Sequence, residues 1–361
     1  MIIFICSILF ALFAIECNGT RSCCFSPSPE FKIDEFQYEG DQISFACVSR
    51  ANQSAFHLEK FNGSLPSNLV DLLDNGRGLS LFMHGAANEI RSEAGLLFRF
   101  ASEWFRESKN NICIVTYCFT TKRSIGFTRS ISNLGRLVSS KRLEYVAKMA
   151  RDLVLEVQRK CVTSTRRQCL RNLSQVDVTG FSFGAHIAAR TCEYLFRSTG
   201  ERVRLLLGLD PSRTPPFVAK PPHTGYRGFA DYTQVVHSSN VLGVWDQLGD
   251  TDIYIKHKPD SDQSFLNTLA EKHGLVFYLH AATATKRLCI IADKNKNATG
   301  KILYGEERPF PEPNQNECIL GVYSTKKEYY NGQKFTISLV NRSKYVYDVL
   351  GEYTSDRMFF E

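Results

Sequence analysis

The chain has no apolar run long enough to cross a bilayer, no Cys-x-x-Cys or His-x-x-x-His pair, no internal repeat and no low-complexity linker. The first absence removes a helical membrane-spanning protein. The second removes the common structural zinc sites. The third removes stacked repeats, and the fourth a long disordered tether. The stretch from Ile2 to Ile15 is nearly all apolar but too short to span, and no Lys or Arg precedes it. With Glu16 and Gly19 behind it, it reads as the core of a secretory signal cleaved near Cys17 to Thr20. The expected division is a signal peptide over 1–19 and one domain over 20–361.

Cysteine, by contrast, is plentiful. Twelve are present, and ten remain once Cys6 and Cys17 leave with the signal. They are Cys23, Cys24, Cys47, Cys113, Cys118, Cys161, Cys169, Cys192, Cys289 and Cys318. An even set in an exported chain predicts disulfides. Cys161 with Cys169 and Cys289 with Cys318 are candidate local pairs, and Cys192 reads equally well as a free core thiol. Acceptor sequons at Asn52, Asn62, Asn172, Asn297 and Asn341 agree with export. Hydrophobic residues make up 43% and charged residues 22%, the balance of a globular chain with a real core. The net charge of +7 includes basic pairs such as Lys141-Arg142 and Arg166-Arg167. These read as solvated faces with a modest attraction to anionic lipid surfaces, not to nucleic acid.

Periodicity predicts strands near Ile43–Val48, Leu79–His84, Asn111–Phe119, Val203–Leu209 and Tyr232–His237. Helices are expected over Glu93–Glu107 and Ser139–Lys160. Strands alternating with helices argue for an α/β fold, a mostly parallel sheet with helices on both faces. Residues 300–361 read as β-rich and irregular.

The chemistry is carried by Val178-Thr179-Gly180-Phe181-Ser182-Phe183-Gly184-Ala185-His186. Gly-x-Ser-x-Gly between a strand and a helix is the context of a nucleophile elbow. The two glycines leave room for the turn, and Ser182 stands at a helix N-terminus, where amides receive an oxyanion. In this arrangement the acid follows the serine and the histidine comes last. The apolar strand Leu205–Leu209 delivers Asp210, and Pro211 ends it. Beyond Asp210 the histidines are His223, His237, His257, His273 and His280. His237 and His280 read as packed residues. His273, ahead of the apolar segment Leu275–Ala282 that resembles a helix start, is favoured as the base. The amides of Phe183 and of Ala86, in Met83-His84-Gly85-Ala86, are the expected oxyanion hole.

Together with Phe82-Met83-His84-Gly85, Gly208-Leu209-Asp210-Pro211, Val235-Val236-His237-Ser238 and Lys272-His273, the elbow resembles the pancreatic lipase family of secreted α/β-hydrolases. The resemblance covers about residues 75–290 and implies an α/β-hydrolase fold with Ser182, Asp210 and His273 as the triad. The chain departs from the family's usual pattern with Phe181 and Phe183 flanking the serine and Glu271-Lys272-His273-Gly274 around the base. No cysteine lies between Asp210 and His273, so no disulfide-closed lid is expected. A short lid looks like the arthropod phospholipase A1-type members. The implied activity is hydrolysis of lipid esters through an acyl-enzyme, without metal or cofactor, on phospholipid or acylglycerol at a membrane or micelle surface. The alternative is a lipid-binding storage protein on the same fold, resembling yolk proteins.

Overall fold

In the computed structural model, residues 43–49, 57–60, 65–85, 96–117, 137, 142–163, 169–213, 225–257, 265–297 and 299–339 are described. The expected signal peptide, Cys23, Cys24, Cys118 and the sequons at Asn52, Asn62 and Asn341 lie outside them.

The first strands are β1 (Ser44–Val48), β2 (His57–Lys60), β3 (Leu79–Met83) and β4 (Asn111–Thr116). Next come β5 (Val176–Phe181), β6 (Val203–Leu209), β7 (Ala230–His237) and β8 (Thr251–Lys256). The last are β9 (Leu288–Asp293), β10 (Lys301–Tyr304), β11 (Glu317–Ile319) and β12 (Gln333–Ser338). Between them run α1 (Ser67–Leu73), α2 (Leu96–Ser108), α3 (Arg142–Thr163), α4 (Phe183–Thr199) and α5 (Phe265–Ala284).

All of the strands join one 12-stranded sheet in the order β10-β9-β12-β8-β7-β6-β5-β3-β4-β1-β2, with β11 on β9. From β4 through β3, β5, β6, β7 and β8 to β12 every pairing is parallel. The pairings that add β1, β2, β9, β10 and β11 at the two edges are antiparallel. Alternation sorts the side chains. Ile112 and Ile114 of β4 face one core with Phe100 and Trp104 of α2 and Phe277 of α5. Cys113 and Val115 face the other, with Val154 of α3 and Ile187 of α4. Helices therefore cover both faces, as parallel strands require. With the elbow at the carboxyl end of β5, this is the expected α/β-hydrolase fold.

Three expectations change. α5 runs 20 residues from Phe265, so His273 lies inside the helix and not at its start. Gly274 does not end it, because the apolar residues that follow are buried on nearly every side and tertiary burial outweighs a glycine's helix cost. The Cys47–Cys113 bridge, which no local spacing suggested, joins β1 to β4 at directly paired positions. Cys161 and Cys169 are bonded as expected, but Cys289 and Cys318 are free, as is Cys192. Cys318 pairs with Ala292 in the β11–β9 ladder, leaving Cys289 three positions along the strand. That offset is about 10 Å, beyond disulfide reach.

His280 packs as expected: its ring stacks on Phe82 at 5.6 Å and meets Trp104 edge-on at 5.3 Å. Neither ring nitrogen meets a hydrogen-bond partner among the described residues. Burial pushes His280 down from 6.5 to about 3 and His84 down to about 4. Both rings are neutral in the folded chain and regain their ordinary proton affinity on unfolding. Their stabilising effect is complete above pH 6.5 and drains as pH falls toward 4, at about 1.4 kcal/mol per ring per pH unit. Replacing His280 by Phe keeps the aromatic stack and removes the unpaired nitrogens. Thermal denaturation at pH 7 and pH 5 should show a higher Tm and a smaller drop between the two.

Candidate active site

β5 ends at Phe181 and α4 begins at Phe183, so one residue makes the whole turn. Ser182 takes φ 57° and ψ −122°, a left-handed backbone that a non-glycine residue holds only when its surroundings enforce it. The enforcement is backbone contact. A Cβ on Gly180 would land on the Gly184 carbonyl, and one on Gly184 would land on the carbonyls of Met83 and His84. The Ser182 N–H donates to the Leu209 carbonyl at 2.9 Å, and its own carbonyl accepts from Ser212 at 3.3 Å. The elbow is thus tied to the loop after β6.

Asp210 leaves β6 with φ 42° and is fully buried. Its Oδ1 accepts the amides of Ser238 at 2.9 Å and Ser239 at 3.1 Å. Its Oδ2 lies 2.5 Å from Nδ1 of His273, whose Nε2 lies 2.8 Å from the Ser182 hydroxyl. Serine, histidine and carboxylate from β5, α5 and β6 therefore form one hydrogen-bonded chain. Ser182 is 8% exposed and the His273 side chain 15%, so both can be reached from solvent. The Phe181 ring flanks His273 at 5.1 Å.

Phe183 is buried and opens α4, so its amide is among the first-turn donors that lack an intrahelical acceptor. Ala86 lies outside the described residues. The segment leading to it, Met83 to Gly85, lies against the elbow. The His84 ring stacks on Tyr117 at 4.5 Å, its Nδ1 donates to the Gly85 carbonyl at 2.8 Å, and the Tyr117 hydroxyl donates to the His84 carbonyl.

The other histidines sit elsewhere. His257 contacts Glu271 at 3.1 Å, and His223 lies outside the described residues. His237 is buried at the end of β7, as expected, but with a partner that sequence reasoning missed: Asp252 of β8 at 2.9 Å. His186, two residues into α4 from Gly184, lies 2.8 Å from the Ser212 carbonyl and 3.1 Å from the Tyr226 hydroxyl. No group of metal-ligating side chains occurs among the described residues.

No protein-family model matches the chain. Sequence relatives do. Phospholipase A1 3 and phospholipase A1 1 of Polistes dominula are each 30% identical over 151 residues, 41% of this chain. The chain is a homologue of these phospholipases A1. The match spans 44% of the first and 42% of the second, less than half of each relative. Phospholipase A1 of Polybia paulista is 24% identical over 265 residues, 72% of this chain and 74% of its own. The likeness to the pancreatic lipase family read from the motifs is borne out by these relatives. Among solved structures, the esterase LipW of Mycobacterium marinum aligns over 45% of this chain and 54% of its own, at 13% identity and a TM-score of 0.28.

The close approach at the elbow makes a direct prediction. Gly184→Ala should cost about 4 kcal/mol or more, because its methyl meets backbone that cannot swing aside. Urea denaturation with circular dichroism would measure the loss.

Proposed function

We propose that the chain is a secreted serine carboxylic ester hydrolase that acts on lipid, of the phospholipase A1 kind. The observation that carries this reading is the chain of contacts from the Ser182 hydroxyl through His273 to Asp210, at 2.8 and 2.5 Å. The homology to phospholipases A1 supports the ester-hydrolase class. The two disulfides and the exposed sequon residues Asn172 and Asn297 support export. That β9–β12 join the sheet carrying the site supports reading residues 20–361 as one hydrolase domain.

In this mechanism Ser182 Oγ attacks the acyl carbonyl while His273 Nε2 takes its proton. The imidazolium that forms is held by Asp210, whose second oxygen stays on the Ser238 and Ser239 amides. The Phe183 amide, with that of Ala86, receives the oxyanion. Collapse expels the leaving alcohol, which takes the proton from His273 and leaves an acyl-enzyme on Ser182. Water, deprotonated by His273, then attacks the acyl carbonyl, and His273 returns that proton to Ser182 Oγ as the Oγ–acyl bond breaks and the fatty acid leaves.

Ser182→Ala should lower kcat by about 10⁴-fold or more without loss of fold. A fluorophosphonate probe should label the wild type and not this variant. Absence of labelling in folded wild type would instead favour the lipid-binding alternative. Phosphatidylcholine labelled separately at its two acyl positions defines the reaction. Ser182-dependent release from the first position is expected. Release from triacylglycerol alone would overturn the phospholipid assignment and keep the hydrolase.

A further inference from the structure

A second buried histidine–carboxylate pair lies one strand beyond the first. His237 ends β7 with Nε2 2.9 Å from Asp252 Oδ1 and Nδ1 2.8 Å from the Val244 carbonyl. A carbonyl oxygen only accepts. Asp252 accepts elsewhere too: its Oδ1 takes the Leu248 amide at 2.9 Å and its Oδ2 the Gly249 amide at 3.2 Å. A neutral imidazole has one N–H, yet both His237 nitrogens face acceptors. Both side chains are fully buried, so no water intervenes as an alternative partner.

The segment between the two strand ends is the one that holds the acid. Ser238 and Ser239 give their amides to Asp210, and a Cβ on Gly243 would strike the Asp210 carboxyl. The Leu242 carbonyl accepts from Arg213 at 2.7 Å, and the Val244 amide donates to Pro211 at 2.7 Å. Val244 therefore grips the residue after Asp210 with its N–H and His237 with its carbonyl. Leu248 and Gly249 close the loop on Asp252.

We infer that His237 is a buried imidazolium and a positioning residue for Asp210, clamping the 238–249 loop whose amides orient that carboxylate. The clamp needs both ring protons. With one, either the Val244 carbonyl or Asp252 loses its donor, and the loop loses one of its anchors. The other charged or titratable groups around it are few. Tyr254 of β8 stacks on His237 at 4.7 Å and Trp245 of the loop meets it edge-on at 6.0 Å. Asp246 acts on Tyr254, Asp250 takes the Thr233 amide, and Arg213 and Arg227 donate to the Gly243 and Gly249 carbonyls. The role in catalysis rests on the proposed hydrolase reading; the protonation does not.

The test uses the full chain with ring-¹⁵N histidine, studied by NMR at pH 7.5. The His237 signals are assigned through their contacts with the Tyr254 ring, which needs no variant. Two protonated nitrogens are expected; one protonated and one bare nitrogen would overturn the inference. His237→Gln retains hydrogen-bond donors but no charge. It should shift or broaden the downfield Nδ1–H resonance of His273 and lower kcat about tenfold, with KM within about twofold. A folded variant with that resonance and kcat unchanged would overturn the positioning role. Two protonated nitrogens in a wild type inert toward every ester would sink the hydrolase reading and leave the clamp standing.

Discussion

Backbone pressed against backbone at the elbow is the constraint from which the site follows. Gly180 and Gly184 bring the start of α4 within contact of β5 and of the residues that end β3. No side chain fits between them. That contact leaves Ser182 no alternative to its left-handed conformation, and the strain is carried by the packing of two strands and a helix. It also sets Ser182 directly before the first amides of α4, so in the proposed mechanism nucleophile and one oxyanion donor come from one turn. Because Ser182 bonds to Leu209 and Ser212, the same turn fixes where β6 releases Asp210.

A fully buried carboxylate is costly unless its lone pairs are met. Asp210 meets them with two amides and the His273 ring, and the amides belong to a loop that begins as β7 ends. That loop is itself closed on a second buried carboxylate, Asp252. Two acidic residues, one after β6 and one in β8 on either side of β7, thus organise one loop from its two ends. The result is a preorganised set of donors around Asp210, the arrangement that the proposed acyl transfer requires. Phe181 flanks His273, and Phe277 packs on Phe181, so the chain of hydrogen bonds has an apolar wall.

The extension of the sheet beyond β8 serves the same centre indirectly. β12 continues the parallel run on β8, and the antiparallel strands β9, β10 and β11 cover what would otherwise be an open edge. α5 crosses this region with an almost wholly buried surface, and that burial is what holds His273 over Ser182.

What the sequence by itself determined is local. Gly-x-Ser-x-Gly, the apolar run into Asp210-Pro211 and the strand limits Val203–Leu209 are set by neighbours a few residues apart, so they could be read directly. The order serine, acid, histidine leaves five candidates, and His273 is favoured among them on its place ahead of the apolar segment Leu275–Ala282. Tertiary structure alone decided the rest. It made His273 a mid-helix residue, because burial of α5 outweighs the cost of Gly274. It paired His237 with Asp252 and joined Cys47 to Cys113, because each pair meets across adjacent strands. It left Cys289 and Cys318 unbonded, because the β11–β9 register sets them about 10 Å apart along the ladder. Side chains brought together by sheet order carry no signature in their spacing, since register is fixed only when the whole sheet has formed.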